Sequence, residues 1–380
     1  MLFRDIPGNN EIKQKLINGV VNGRIAHAQL FCGPNGNAKL ALALSYARYV
    51  NCQSKLPTDS CGSCLSCKKY NNLEHPDLHL VFPIIKTNKI KNTISDHYLR
   101  EWRNLVIDNA YLSIYDWAEE FKGENKMGQT GTIYKDQAKS ISEKIKLKSY
   151  ESNYKVVLIW SAELMNKDAA NKLLKLVEEP PKKTLFLLTT QNKNSLLKTI
   201  LSRLQITNVA NFKKNDLLTY FNHLEKDQYK LVEEQVEGLN YDLGSIIKLL
   251  KNQDSDVTYF QLFANWMRFL YRKDIQRIVD WNEKISIVGR KNQIEFCNYS
   301  LNIIRACLIY KIGIQTNTII KKEEKEFIKN FSPYLSQDNI LNIANKLEKT
   351  IFAIGRNANS KILFFNLSLE CLKLLTLKSN

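Results

Sequence analysis

The sequence predicts an α/β domain built on a parallel sheet, followed by an all-helical C-terminal region. Three observations lead there. Short apolar runs of strand length recur at residues 28–32 (AQLFC), 155–160 (KVVLIW) and 184–190 (TLFLLTT), with helix-like stretches between them. Continuous runs of this kind are what strands covered on both faces require, and strands alternating with helices imply parallel crossovers. After about residue 211 the strand signals stop, and helical patterns run to the end.

Taken in order, residues 9–22 form a helix pattern, 28–32 a buried strand and 39–51 a second helix. Four clustered cysteines follow, and then HPDLHLVFP (75–83), where apolar and polar residues alternate as in a strand. From about 84 to 131 the text becomes polar and carries aromatic-rich helical pieces and a loop, KGENKMGQTGT. This stretch is expected to be an insertion packed on the domain surface. Its aromatics (Tyr98, Trp102, Tyr111, Tyr115, Trp117) suit base stacking, but a satellite core explains them more simply. Residues 134–147 are helical, 155–160 a strand, and 168–179 an amphipathic helix stopped by Pro180 and Pro181. A strand at 184–190 and a short one at 206–209 complete the sheet. Beyond them, apolar residues at helical spacing, as in FQLFANWMRFLY, read as a bundle core, with linkers near 253–255 and 313–317.

Length and charge narrow the function. A chain of 380 residues holds two or three domains, since single cores rarely exceed about 250–300 residues. No run approaches the roughly 18 apolar residues of a membrane span, and the start, MLFRDIPGNNE, lacks the order of a secretory signal. A cytoplasmic location is expected. The net charge of +17 favours polyanions such as nucleic acid. Scattered lysines on solvated faces account for it equally well.

Of eight cysteines, Cys32, Cys297, Cys307 and Cys371 stand alone in apolar text and read as buried small hydrophobes. Cys52, Cys61, Cys64 and Cys67 form C-x8-C-x2-C-x2-C. In a reducing compartment, clustered thiols point to metal, and a closed set of four sulfurs to structural zinc. His75, in HPD, reads as a turn residue rather than a competing ligand. His27 is expected to be packed or at an interface.

The strand at 28–32 leads into GPNGNAKL (33–40). A phosphate-binding loop reads GxxxxGK[ST] between a strand and a helix. Gly33, Gly36 and Lys39 fit that frame, but Ala38 replaces its second glycine and Leu40 the hydroxyl that holds Mg²⁺. On this motif alone, a chance loop with a solvated lysine serves as well as a relic site. A working ATPase also needs an acidic pair at the end of a core strand. Trp160 and Ser161 occupy those places, and Glu163 lies beyond them, expected to point along the loop. Both metal-handling positions are therefore apolar or neutral, which favours an abandoned chemistry.

The strings RIAHAQLFCGPNG, EHPD, KVVLIWSAELMN, AANKLLKLVEEPP and TILSRLQ, in this order and with the four cysteines, resemble the bacterial clamp-loader AAA+ family, most closely its delta-prime branch. The likeness covers about residues 1–210 well and the remainder only in character. It implies an AAA+ α/β domain over 1–208 with a zinc module at 52–67, a small helical lid over 209–252, and an all-α oligomerisation collar over 253–380; the stretch at about 84–131 departs from the family. It implies partners too: delta and gamma/tau subunits, with the sliding clamp (beta) and primed DNA reached through the complex. Relatives that hydrolyse ATP carry an arginine in a lid G-x-x-R string, where Gly244–Ile247 here ends in isoleucine. Their SRC string is Ser202, Arg203, Leu204 here. The resemblance thus implies a subunit that neither hydrolyses ATP nor holds a confident nucleotide, and in which Arg203 is a trans arginine finger for a neighbouring motor. A plain surface arginine after a turn is the competing reading. Two other functions stand beside this one: an active AAA+ ATPase of gamma/tau type, opposed by Leu40, Trp160, Ser161 and Ile247, and a free-standing zinc-bearing DNA-binding protein, motivated by charge alone.

Overall fold

The computed structural model describes residues 1–86, 93–120, 131–251, 259–313, 322–356 and 358–376. They fall into two compact units, Met1–Lys251 and Asn252–Asn380.

The first unit begins with α1 (Asn10–Val21), β1 (Ala28–Cys32), α2 (Lys39–Asn51), α3 (Leu65–Asn71) and β2 (Leu78–Val81). It continues through α4 (Leu99–Asp108), α5 (Ile114–Glu119), α6 (Lys135–Lys146), β3 (Lys155–Ile159), α7 (Lys167–Glu178), β4 (Thr184–Thr190), α8 (Lys198–Leu201) and β5 (Gln205–Asn208). It closes with α9 (Lys214–Tyr220), α10 (Lys226–Gln235) and α11 (Leu243–Lys251). The strands lie side by side as β2-β3-β4-β1-β5, every pair parallel.

Because side chains alternate across a strand, the apolar runs feed two cores. Phe31, Val156, Leu158, Leu185 and Leu187 face the side of α2. Leu30, Val157, Ile159, Phe186 and Leu188 face the side of α6 and α7, against Ile141 and Leu173. Every residue of α2 is buried. The central strands are buried throughout, whereas three of the four residues of edge strand β5 are exposed.

The segment expected as an insertion on the domain surface is integral to the packing of the first unit. Its aromatics join the main core: Trp102 and Trp117 are fully buried, Phe82 stacks on Trp102 at 4.9 Å, and Trp117 Nε1 donates to Pro83 O at 2.7 Å. Apolar helical residues between polar ones mimic an appended layer in the sequence, but here they cover the α2 face. The loop at 121–130 lies outside the described residues.

The second unit comprises α12 (Tyr259–Arg272), α13 (Ile275–Ile287), α14 (Arg290–Ile312), α15 (Lys322–Phe331), α16 (Gln337–Gly355) and α17 (Ser360–Thr376). Trp266 and Trp281 stack at 5.0 Å at its centre, near Phe296 and Phe364, and Trp266 Nε1 donates to Ser368 Oγ at 2.9 Å. Gly313, at φ +77°, ends α14 in the left-handed conformation that suits glycine. The linker expected at 253–255, and the rest of the one at 313–317, fall outside the described residues. Among the described residues no helix is long and apolar enough to cross a membrane.

Candidate functional site

Chemistry-bearing residues gather in three places in the first unit: the loop between β1 and α2, the cysteine cluster after α2, and the turn after α8.

In the β1–α2 loop, Gly33 N donates to Thr190 O at 3.1 Å, tying the loop to β4. A Cβ on Gly33 would lie 2.1 Å from Val209 O, so only glycine fits. Gly36 has φ +64°, and a Cβ there would meet Asp242 Oδ1 at 1.6 Å. Asn37 bridges the loop, donating to Val209 O at 2.6 Å and accepting from Lys39 N at 3.1 Å. Lys39 is not the solvated lysine of a chance loop. It is 7% exposed, and its Nζ donates to Pro34 O at 2.6 Å and to Asn37 Oδ1 at 3.4 Å. Burial pushes its ammonium down to about 8, against the opposing pull of Glu163, Asp242 and Cys32. The lysine head thus turns back on its own loop.

The neighbouring elements close around it. Asp242 caps α11, its Oδ1 accepting from Ser245 N at 2.8 Å, and Leu243 N donates to Gly36 O at 3.2 Å. Leu40 is 2% exposed and belongs to the core on the α2 face, as does Ala38. Ile247 packs partly buried against the same core.

At the end of β3, Trp160 is buried edge-on to Trp102 with centroids 6.0 Å apart, and its N donates to Val81 O. Ser161 takes a left-handed conformation at φ +54° and donates its N to Thr189 Oγ1 at 3.2 Å. Glu163 departs from expectation. Rather than pointing along the loop, it is turned back by Ser161 and the following 3-10 turn (Ala162–Leu164), so that Oε1 accepts from Gln191 N at 3.1 Å. Its charge is the strongest acidic influence on Lys39. Only three residues separate it from the strand, and periodicity carries no information about a single reversed residue.

Arg203 lies just past α8. Its Nη2 pairs with Glu178 Oε1 at 2.5 Å, and its Nη1 donates to Thr199 O at 2.8 Å and Ser202 Oγ at 3.2 Å. Ser202 Oγ in turn donates to Thr199 O at 3.0 Å. None of these partners belongs to the β1–α2 loop. About two-fifths of the Arg203 side chain remains exposed.

The four cysteines converge, with sulfurs all within 4.8 Å of one another. Cys52 caps the C-terminus of α2, and Cys64 the N-terminus of α3. Three backbone N–H groups point at sulfur: Cys61 N to Cys52, Cys64 N to Cys61 and Cys67 N to Cys64, at 3.3–3.4 Å. The N–H groups of Cys64 and Ser63 bring the Cys61 thiol down to about 6, which favours the thiolate. Gly62, at φ +81°, makes the turn. This donor set can hold a metal ion. His75 stays outside it, its ring tilted 36° against Tyr70 with centroids 4.7 Å apart and its Nδ1 accepting from Asp77 N. His27 packs by its Nε2 on Val177 O. Cys297, Cys307 and Cys371 are buried as expected, whereas Cys32, at the exit of β1, is half-buried.

Residues without a sequence motif brace these places. Arg48 donates to Met1 O, Asn71 Oδ1 and Gly62 O, joining α2 to the chain start, α3 and the cysteine turn. Asp59 accepts from the N–H of Phe3 and Arg4. Asp77, of HPD, accepts from the N–H of Tyr150, Glu151 and Ser152 and from Ser152 Oγ. Arg48 was legible only as a polar residue in an otherwise apolar helix, Asp77 only as part of EHPD, and Asp59 had no advance signal.

Comparison with known proteins gives the site a context. The family model described as DNA polymerase III, delta subunit, matches residues 8–213, more than half of the chain. The chain is 27% identical over 283 residues to DNA polymerase III subunit delta' of Bacillus subtilis, covering 70% of this chain and 72% of that one. It is 29% identical over 197 residues to the Yersinia pestis delta', covering 52% and 45%. It is 25% identical over 244 residues to subunit gamma of Buchnera aphidicola, covering 64% of this chain and 53% of that protein; it spans 28% of the Bacillus subtilis tau subunit. Among solved structures, a gamma-subunit-related protein of Thermotoga maritima aligns over 97% of this chain and 100% of its own, at 14% identity and a TM-score of 0.38.

Proposed function

The chain belongs to the DNA polymerase III delta-subunit family, and on that premise we propose that it is a clamp-loader subunit of delta-prime type that assembles with delta and gamma/tau subunits without turning over ATP itself. The observation that carries the silent role is the state of the β1–α2 loop. Phosphoryl transfer needs a lysine head aimed at the phosphates and oxygen ligands for Mg²⁺. Lys39 instead donates to Pro34 O, and Leu40 and Trp160 present buried apolar groups where oxygens are required. Removing Mg²⁺ from such a transition state forfeits several kcal/mol by order of magnitude.

Within the complex, Arg203 acts on a neighbour. Its guanidinium is partly exposed at the end of a turn, and three cis acceptors leave N–H donors for an incoming anion. A trans guanidinium stabilises charge on the equatorial phosphate oxygens and contributes roughly 10³–10⁵ in rate. The complex places a sliding clamp on primed DNA, and this chain reaches both through its partners in the cytoplasm. Cys52, Cys61, Cys64 and Cys67 hold a structural zinc that fixes the turn between α2 and α3; four thiolates leave no open position for catalysis.

The matches to gamma and tau favour a second reading, an active motor. The test is ATPase of the complex reconstituted with delta and gamma/tau partners. With Arg203→Ala the rate is expected to fall at least 10-fold with assembly intact, while the isolated chain hydrolyses nothing above background. An unchanged rate removes the finger role, and turnover by the isolated chain establishes the motor.

A further inference from the structure

Arg203 is held by a carboxylate for which neither the loop nor the zinc cluster has a use. Glu178 is the last residue of α7, where a negative side chain opposes the negative end of the helix dipole. An acid placed there is unfavourable by itself. The guanidinium of Arg203 offsets both charges, with Nη2 at 2.5 Å from Glu178 Oε1. The other end of the guanidinium is fixed as well, since Nη1 donates to Thr199 O and Ser202 Oγ. Acceptors on two elements, the end of α7 and the α8 turn, therefore clamp one planar group along two of its edges. Arginine has enough rotatable bonds that fixing it costs side-chain entropy. A side chain already fixed before an anion arrives leaves that cost out of the encounter.

We propose that Glu178 is a positioning residue for Arg203: its carboxylate holds the guanidinium in one orientation, so that the remaining N–H donors meet the phosphate of a neighbouring subunit without a search. The inference rests on Arg203 acting in trans. Glu178 touches no nucleotide itself. The pair is about two-fifths exposed on each side, so it contributes orientation far more than stability.

Steady-state ATPase of the reconstituted complex tests this, with kcat and KM separated and assembly checked by gel filtration. Glu178→Ala is expected to lower kcat about 2- to 5-fold, the range that exposed ion pairs supply, with KM for ATP unchanged. Glu178→Gln, whose amide oxygen still accepts from Nη2, should recover most of that loss. In an Arg203→Ala background, Glu178→Ala should add nothing. A wild-type kcat for Glu178→Ala, or a full additive loss in the Arg203→Ala background, overturns the positioning role while leaving the finger standing. An inert Arg203→Ala would instead remove the finger itself, and with it this inference.

Discussion

The two ends of α2 carry two different chemistries. At its N-terminus the loop with Lys39 is closed on itself: the ammonium donates to Pro34 O, Asn37 bridges to Val209 O, and Leu243 N seals Gly36 O. At its C-terminus Cys52 joins three more thiols in a complete donor set with N–H groups already aimed at sulfur. The helix between them is buried along its whole length. The packing of this helix fixes the backbone path of its N-terminal loop, where Gly33 and Gly36 leave no room for a Cβ. At one end a lysine turns back on its own loop beside the buried Leu40 and Ala38, and at the other four sulfurs converge.

The largest expected effect lies at the C-terminal end. Chelation, or Cys64→Ser, should remove one zinc per chain and lower the melting temperature by many degrees, because metal binding energy is folding energy, of the order of 10 kcal/mol in isolated zinc modules. Metal analysis beside a thermal melt reads both. A zinc-free preparation with an unchanged melt would make the two ends alike.

At the N-terminal end the effect is a pH dependence. Lys39 titrates near 8 when folded and near 10.5 when unfolded, so between those values the unfolded chain binds more protons. Stability from this residue should therefore rise as pH climbs from about 8 to 10.5, by an amount on the order of 3 kcal/mol. Lys39→Met should abolish that rise, which urea melts at pH 7.5 and 10 would measure. Equal pH slopes in both proteins would mean that the lysine is solvated after all.

A smaller effect is expected of Gly36→Ala. The new Cβ would stand in the left-handed region and displace the Asp242 carboxylate that caps α11, costing about 2 kcal/mol. Urea unfolding should show that loss. A neutral substitution would mean that Asp242 and the start of α11 do not press on the loop.

Much of this was legible in the sequence, and what was not has physical causes. Strands β1, β3 and β4 follow from continuous apolar runs, the signature of a strand covered on both faces, whereas β2 was legible from alternation and the largely exposed edge strand β5 only as a short stretch, one residue off. The cysteines announced their cluster by spacing alone. The stretch holding Trp102 and Trp117 misled, since short apolar helices read the same whether they cover a sheet or add a layer outside it. Glu163 was misread because one left-handed residue, Ser161, reverses the chain without any periodic trace. The Glu178–Arg203 pair joins residues 25 apart that no spacing rule connects, although both lie in strings that carry the family resemblance.

Equilibrium titration of the purified full chain with a fluorescent ATP analogue, with and without Mg²⁺, tests the closed loop most directly. The expected result is no saturable binding at sub-millimolar nucleotide and no enhancement by Mg²⁺. Tight binding that strengthens with Mg²⁺ and disappears in Lys39→Ala would contradict it.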